Sequence, residues 1–258
     1  MNISLLYKAL IINIMSKKKY SIIAGPCSVN SEEELYKTAK EIHKYIDVFR
    51  CGVWKARTNP NSFKGSGDIT INWLYNVSKE LELPIAIEVG IPSHIEKALK
   101  KNIRIFWIGA RTTVNPFYIN ELCEVLKGEN VEVWIKNPIY PDIKLWIGAF
   151  ERFKKFGINN LKAIHRGFYP YYKSKYRNNP QWKLVDAFKE KFPEIELICD
   201  PSHIAGNTKL LESISKKAIK KGMNGLMIET HCKPENALSD AKQQINPEQL
   251  KNLIKYIH

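Results

Sequence analysis

The stretch "LICDPSHIAGN" (Leu197–Asn207) begins as a buried strand and ends in polar residues. Its apolar start leads into Asp200 and His203, and a glycine follows at once. The simplest explanation is a turn, in which Asp200 caps backbone amides and His203 lies on the surface. The alternative is a functional site, which requires that other strands of the chain also end in reactive side chains.

Short apolar runs and helical patterns alternate eight times from residue 20 onward. Each run is continuous and rich in β-branched or aromatic residues, which is typical of strands buried on both faces of a parallel sheet. In chain order the runs are "YSIIAG", "DVFRCGVWK", "PIAIEVG", "IRIFWIGA", "VEVWIK", "LKAIHR", "LICD" and "GLMIET". Eight strand–helix units in about 240 residues predict an α/β fold, a (β/α)8 TIM barrel. A doubly wound open sheet is the alternative.

Amphipathic segments lie between these runs and carry helix boundary signals. Ser31 and Asn115 are predicted N-caps, and Gly128, Gly157 and Gly222 are predicted C-terminal stops. No low-complexity linker divides the chain. We therefore expect one catalytic domain over residues 20–258, preceded by a short N-terminal extension over residues 1–19.

Composition limits the classes of function. The 258 residues are 44% hydrophobic, which supports a full core, and the net charge is +14. Such a charge permits nucleic-acid binding, but dense basic runs with interleaved aromatics are lacking apart from "YPYYKSKYR" at residues 169–177. We expect no nucleic-acid partner.

The cysteines and the apolar start of the chain indicate a cytoplasmic protein. The five cysteines are odd in number and form no C-x-x-C pair, which fits a reducing compartment. The opening "SLLYKALIINIM" is about a dozen residues long, whereas a membrane span needs roughly 20. We expect no membrane association.

Polar residues cluster directly after the strands. The strand ends read "GPCS", "KARTNPNSF", "GART", "KNP", "HRGF", "DPSH" and "ETH", and strand three, with "EVG", is the exception. Because the carboxyl ends of barrel strands converge on one face, these residues are expected to form one site.

The first group at the strand ends is cationic. It consists of Arg50, Lys55, Arg57, Arg111, Lys136 and Arg166. Buried arginine is costly unless it pairs with an anion, and its planar fork matches phosphate and carboxylate. Ion pairing to carboxylates of the barrel is the alternative, but too few acids share these positions to pair all six cations. The group predicts an anionic substrate with more than one phosphate.

The second group combines sulfur, nitrogen and oxygen donors. It consists of Cys27, His203, Glu229 and Asp240. This mixture suits one divalent ion such as Mn²⁺, Fe²⁺, Co²⁺ or Zn²⁺. Their spacing is irregular, so Cys27 as a small buried hydrophobe and Asp240 as a helix cap remain open. His231 and Cys232 are competing ligands.

Several motifs resemble those of the 3-deoxy-D-arabino-heptulosonate 7-phosphate (DAHP) synthase family, in its compact bacterial and archaeal branch. The resemblance covers about residues 20–258 and rests on "AGPCS", "FRCGVWKARTNPNSFKGSG", "WIGART", "IKNP", "AIHRGF", "LICDPSHIAGN" and "GLMIETHCKPENALSDAKQQ". It implies a metal-dependent (β/α)8 barrel that condenses phosphoenolpyruvate with erythrose 4-phosphate, the first step of the shikimate pathway.

The resemblance also implies roles for single residues. By this resemblance, the residues expected to bind the metal are Cys27, His203, Glu229 and Asp240. Those expected to bind phosphoenolpyruvate are Arg50, Lys55, Arg111, Lys136 and Arg166. The phosphate of erythrose 4-phosphate is expected to bind to Arg57 and Thr58. Lys55 and Asp200 are the expected catalytic residues. The family usually reads K-P-R-T where this chain has Ala56 after Lys55, and the lost proline predicts a looser loop.

The resemblance also suggests binding partners, and two alternative functions remain to be compared with it. We expect small-molecule substrates and a homo-oligomer, either a dimer or a tetramer. Relatives often carry a chorismate mutase domain or a regulatory domain, and this chain shows neither. We therefore expect a separate chorismate mutase as partner. We also expect no feedback inhibition of the isolated chain. The rivals are the sister enzyme 3-deoxy-manno-octulosonate 8-phosphate synthase, which uses arabinose 5-phosphate, and a non-catalytic basic nucleic-acid-binding barrel.

Overall fold

Eight parallel strands close into a barrel in simple chain order, from β1 to β8 and back to β1. The computed structural model describes residues 20–57 and 59–257. The strands are β1 (Ser21–Gly25), β2 (Val48–Cys51), β3 (Ile85–Val89), β4 (Ile105–Ile108), β5 (Glu132–Lys136), β6 (Leu161–His165), β7 (Glu196–Cys199) and β8 (Gly225–Glu229). All eight predicted strands are confirmed, and the closed barrel excludes the open sheet. The extension over residues 1–19 lies outside the described residues.

Helices follow the strands and cover the outside of the barrel. Those of the described residues are α1 (Glu32–Ile42), α2 (Asp68–Leu81), α3 (Pro92–Leu99), α4 (Ala110–Thr113), α5 (Pro116–Leu126), α6 (Ile143–Lys155), α7 (Trp182–Lys191), α8 (Pro201–Ala205), α9 (Leu211–Lys220) and α10 (Pro247–Ile257). Among residues 20–57 and 59–257, none of these helices is long and apolar enough to cross a membrane.

The predicted helix boundaries are confirmed. The Ser31 side chain accepts a hydrogen bond from the Glu34 amide, and the Asn115 side chain accepts from the Phe117 and Tyr118 amides. Gly128, Gly157 and Gly222 follow α5, α6 and α9 with φ between +72° and +82°, which glycine adopts without strain.

Alternation along the strands divides the buried residues into two layers. The larger layer packs between strands and helices and includes Phe49, Phe106 and Trp146. The smaller layer fills the barrel interior and consists of Ile23, Ala86, Trp107, Trp134, Ile164, Ile198 and Met227. Because successive strand residues face opposite sides, the inward residue that follows this layer on each strand lies at the carboxyl end.

The amino-terminal end of the barrel interior is closed by charge pairs. Lys162 Nζ lies 3.2 Å from Glu132 Oε1 and 2.9 Å from Glu196 Oε2. The apolar layer separates these pairs from the opposite mouth. Any ligand of the interior must therefore enter from the carboxyl ends of the strands.

Candidate active site

A pocket of about 400 Å³ opens at the carboxyl ends of the strands. The loops after β2, β4, β5 and β6 supply most of its walls, together with the short helix α8 and the loop after β8. Its lining residues are Arg50, Lys55, Ala56, Arg57, Asn59, Ser62, Glu88, Ala110, Arg111, Lys136, Ile139, Arg166, Tyr169, Arg177, Asn178, His203 and Asp240. The pocket thus contains all six cations that the sequence singled out. Thr58 lies outside the described residues.

Arg50 is the deepest of these cations. It is 1% exposed, and its Nη1 donates a hydrogen bond to Glu229 Oε1 over 2.9 Å. Its guanidinium lies 4.7 Å from the ring centre of Trp107, a favourable cation–π position. Its Nε has no hydrogen-bond partner among the described residues. The Nε–H group of Arg50 is therefore an unused hydrogen-bond donor at the floor of the pocket.

Lys136 reaches the pocket from the last position of β5. Its Nζ lies 3.0 Å from Asp200 Oδ2, and that same oxygen lies 2.8 Å from His203 Nδ1. Asp200 Oδ1 accepts from the backbone amide of His203, so this carboxylate also caps α8. Asp200 is fully buried and is not part of the pocket wall. The turn that the opening stretch suggested is present, but His203 faces the pocket.

Arg166 follows β6 and is held by two asparagines. Its backbone amide donates to Asn137 Oδ1 over 2.7 Å, and its Nη1 donates to Asn178 Oδ1 over 2.8 Å. Burial lowers the pKa of Arg166 to about 10. The side chain is thus still a cation at neutral pH, and its neutral hydrogen-bond partners leave that charge available to an anion.

Lys55 stands between the pocket and the sulfur-bearing residue Cys27. Its Nζ donates to the Cys27 carbonyl over 3.2 Å and lies 3.6 Å from Glu88 Oε2. Burial alone would lower the pKa of Lys55, but the pKa lies above its usual range because of Cys27, whose thiol ionises at the high pH where Lys55 titrates, and of the Glu88 carboxylate. The reading of strand three as an exception is wrong, because Glu88 near the end of β3 faces the interior and lines the pocket.

Three of the four predicted metal ligands form one cluster. The ligand atoms of Cys27, Glu229 and Asp240 all lie within 4.8 Å of one another, and Cys27 Sγ is 3.2 Å from Asp240 Oδ2. The fourth residue stands beside them, with His203 Nε2 3.9 Å from Glu229 Oε1. Asp240 adopts a positive φ of 50°, a backbone conformation that is uncommon for residues other than glycine.

The donor set of this cluster fits a divalent cation. Burial, and next the charge of Glu229, raises the pKa of Cys27 to about 12. A protonated thiol therefore faces two carboxylates in a space with little solvent. A cation among these atoms would offset the carboxylate charges and favour the thiolate, which is the form that binds metal. A thiolate, an imidazole and two carboxylates together suit borderline divalent ions.

His231 and Cys232, the competing ligands, lie elsewhere. His231 Nδ1 accepts from the Lys233 amide over 3.0 Å, and its Nε2 lies 3.7 Å from Glu34 Oε2 of α1. The backbone amide of Cys232 donates to Thr38 Oγ1 of the same helix. Because β8 ends at Glu229, strand alternation does not continue to His231, and both residues anchor the following loop on α1.

Sequence reasoning missed several residues of the site. Arg177 and Asn178 belong to the loop after β6, and Gln243 lies in the loop after β8. Arg177 is the end of the basic stretch "YPYYKSKYR", so its charge was visible but its position was not. Glu88 had a signal of its own, since an acid inside the apolar run "IAIEV" must find a partner when buried.

The fold and the pocket define a class of protein. Closed (β/α)8 barrels place catalysis at the carboxyl ends of their strands, and a pocket whose charged lining residues are mostly cationic selects anionic ligands. The class is therefore a barrel enzyme of anionic substrates. A family model described as the DAHP synthetase I family matches residues 9–257, and the chain belongs to that family.

The relatives from Thermotoga maritima agree with this assignment. The chain is 29% identical to a phospho-2-dehydro-3-deoxyheptonate aldolase of Thermotoga maritima over 237 residues, which cover 92% of this chain and 68% of that protein. The crystal structure of the T. maritima phospho-2-dehydro-3-deoxyheptonate aldolase (DAHP synthase) aligns with a TM-score of 0.83 at 29% identity, over 92% of this chain and 67% of that one. A 2-dehydro-3-deoxyphosphooctonate aldolase of Nitratidesulfovibrio vulgaris is 24% identical over 255 residues, which cover 91% and 89% of the two chains.

Proposed function

We propose that the protein condenses phosphoenolpyruvate with erythrose 4-phosphate and water to give 3-deoxy-D-arabino-heptulosonate 7-phosphate and inorganic phosphate, the first step of the shikimate pathway. The observation that carries the proposal is the pocket in which six cations meet beside a cysteine–carboxylate cluster. Both substrates are phosphorylated anions that repel each other in water. A cationic pocket offsets this repulsion and holds the two reacting carbons together.

The six cations divide between the two substrates. Arg50, Lys55, Arg111, Lys136 and Arg166 would hold the phosphate and carboxylate of phosphoenolpyruvate. Arg57, with Thr58, would hold the phosphate of the aldose. Arg57 Nε donates to the Phe63 carbonyl over 2.8 Å, which orients its guanidinium while leaving other donors for a ligand.

The metal would lie among Cys27, His203, Glu229 and Asp240. Lewis-acid polarisation of the aldehyde oxygen is the chemistry that such a cation supplies when bound. Carbon C3 of phosphoenolpyruvate attacks the aldehyde carbon with the electrons of its C2–C3 double bond, so the new C–C bond forms while the C=O π bond opens to an alkoxide. Water adds at C2, where positive charge develops, and the C2–O bond to phosphate breaks to leave a ketone. One proton of the water leaves with the phosphate, and the other replaces the proton that the alkoxide takes up.

Lys55 and Asp200 would serve this reaction in different ways. Lys55 Nζ stands between the cluster and the cationic wall, and its raised pKa keeps it protonated, so it can donate a proton to the developing alkoxide. Asp200 contacts Lys136 and His203 and is not part of the pocket wall. We therefore assign Asp200 the positioning of these two side chains rather than contact with substrate.

A phosphate-release assay with purified protein tests the proposal. We expect phosphate release that requires both phosphoenolpyruvate and erythrose 4-phosphate, stops with a chelator and resumes when Mn²⁺ is added. Phosphate release that persists in full after chelation would remove the metal from the mechanism. The absence of release with any divalent ion would overturn the function.

The second candidate is synthesis of 3-deoxy-manno-octulosonate 8-phosphate from arabinose 5-phosphate. It is favoured by Ala56 in the β2 loop and by the 24% identical relative. The same assay with arabinose 5-phosphate separates the two, and we expect erythrose 4-phosphate to give the larger kcat/KM. We also propose a cytoplasmic location, a homo-oligomeric assembly and a separate chorismate mutase as partner.

A further inference from the structure

Gln243 joins Glu229, one of the candidate metal ligands, to Arg177 at the rim of the pocket. It ends the short 3₁₀ turn Ala241–Gln243 and is 1% exposed. Its Nε2 donates to Glu229 Oε2 over 2.6 Å, and its Oε1 accepts from Arg177 Nη1 over 2.6 Å. A buried amide with a charged partner at each end is costly to misplace.

Arg177 determines which way this amide points. Arginine can only donate hydrogen bonds, so the atom that faces Arg177 must be the amide oxygen. The amide nitrogen is then directed at Glu229, where it can only donate. The orientation of Gln243 thus follows from the chemistry of its two neighbours.

The arrangement holds Glu229 by both of its oxygens. Oε1 accepts from Arg50 and Oε2 accepts from Gln243. Arg177 Nη1 also donates to Asp240 Oδ1 over 3.0 Å, so one guanidinium connects Gln243 and Asp240. The next residue, Gln244, accepts from the Cys27 amide over 3.0 Å. These contacts place the three clustered side chains before any ligand arrives.

We propose that Gln243 is a positioning residue for the metal site and that Arg177 sets its orientation. The inference rests on the proposed function, because it requires that the cluster of Cys27, Glu229 and Asp240 holds a divalent cation. Residues that hold metal ligands in place typically change metal affinity by 10- to 100-fold when they are removed. Gln243 is expected to act in this way, although it need not touch metal or substrate.

Titration of the metal-free protein with Mn²⁺, followed by calorimetry or electron paramagnetic resonance, tests the proposal. Gln243→Met keeps the length of the side chain and removes both hydrogen bonds, and we expect Mn²⁺ to bind roughly 10- to 100-fold more weakly. Lys242→Gln, at the exposed neighbouring position, is the matched control and is expected to bind as the wild type does. If Gln243→Met does not fold, Gln243→Asn, whose shorter amide cannot span both partners, gives the same comparison.

Activity provides a second readout. Excess Mn²⁺ should restore kcat of Gln243→Met toward the wild-type value, whereas a merely distorted pocket would not be rescued by metal. Wild-type Mn²⁺ affinity in a folded Gln243 variant would overturn the inference and leave the proposed function intact. A wild-type protein that binds no Mn²⁺ would instead contradict the metal part of the proposed function, and the inference with it.

A double-mutant cycle tests the role of Arg177. Arg177→Met is measured in the wild-type and Gln243→Met backgrounds, and we expect its effect on the Mn²⁺ dissociation constant to differ at least threefold between them, roughly 0.65 kcal/mol of coupling. Equal effects in both backgrounds would show that Arg177 acts independently of Gln243.

Discussion

Arg50 illustrates how one residue connects the two parts of the site. It lines the anion pocket, pairs with Glu229 of the metal-type cluster and lies over Trp107. A buried ion pair is not in itself a source of stability, because desolvation offsets the attraction between the charges. The Arg50–Glu229 pair instead has a geometric role, because it fixes a cation at the floor of the pocket beside a candidate metal ligand.

Replacement of His203 tests the metal centre at the level of a single residue. We expect His203→Ala to abolish turnover and to lower the bound metal, because it removes the imidazole beside Glu229. Elemental analysis measures the metal, and circular dichroism should show that the fold is retained. His43→Ala, on the outer surface, is the matched control. A His203→Ala protein with full metal occupancy would exclude this residue as a ligand.

Cys27 allows an independent check of the same centre. Cys27→Ala removes the sulfur that lies 3.2 Å from Asp240 Oδ2, and we expect it to lose both metal and activity. Cys123→Ala removes a buried cysteine from α5, away from the pocket, and should keep both. Unchanged metal content in Cys27→Ala would support its reading as a small buried hydrophobe.

Arg57 is the residue that should separate the two substrates. We expect Arg57→Ala to raise KM for erythrose 4-phosphate far more than KM for phosphoenolpyruvate. Loss of one charge-assisted contact costs about 1.5–3 kcal/mol, or roughly 10- to 150-fold. Steady-state kinetics with each substrate varied in turn provides the measurement, and Arg104→Ala, beside the start of β4, is the control. Equal losses for both substrates would contradict the assignment.

At the scale of elements, β1 and β2 approach so closely that only glycine fits between them. Gly25 ends β1 with a φ of +150°, and a Cβ there would lie 2.1 Å from the Arg50 carbonyl oxygen. The neighbouring strand thus carries Arg50 at the very point of close approach. The position of this arginine in the pocket depends on the spacing of the two strands.

Replacement of this glycine should therefore affect both stability and activity. We expect Gly25→Ala to lower Tm strongly and to reduce kcat/KM by displacing Arg50. Gly128→Ala is the control, because its Cβ would meet nothing within 4 Å and its positive φ alone costs about 1–2 kcal/mol, or roughly 2–8 °C in Tm. Equal melting temperatures for the two variants would show that the strands can separate without cost.

At the scale of the whole molecule, the barrel gathers candidate ligands from distant parts of the chain. Cys27 and Asp240 are 213 residues apart in sequence, yet their side chains are in contact. An ion bound at this point would connect the first strand to the loop after the last one. Binding that occurs in the folded state alone stabilises that state.

Added metal should consequently raise the melting temperature. At 100 times the dissociation constant, binding to the folded state contributes about 2.7 kcal/mol, which corresponds to a Tm increase of roughly 5–10 °C for a chain of this size. Differential scanning fluorimetry with Mn²⁺, and with Mn²⁺ plus chelator, gives the comparison. The shift should vanish in His203→Ala, and a full shift in that variant would place the stabilising ion at another site.

The sequence alone predicted the barrel and most of the charged residues that line the candidate pocket. Strands buried on both faces give continuous apolar runs, so all eight could be read directly. Because the fold brings the carboxyl ends of its strands together, residues such as Lys136 and His203 could be assigned to one pocket without any knowledge of distances.

Only the tertiary structure decided where the loop residues after the strands lie, because the two-residue alternation of side chains along a strand does not extend into the loops. It placed His231 against Glu34 of α1 rather than in the cluster, and it brought Arg177 to Asp240 and Gln243. It also gave Asp200 contacts to Lys136 and His203 instead of a place in the pocket wall. Loop paths depend on contacts between residues far apart in the chain, and no local pattern in the sequence encodes these contacts.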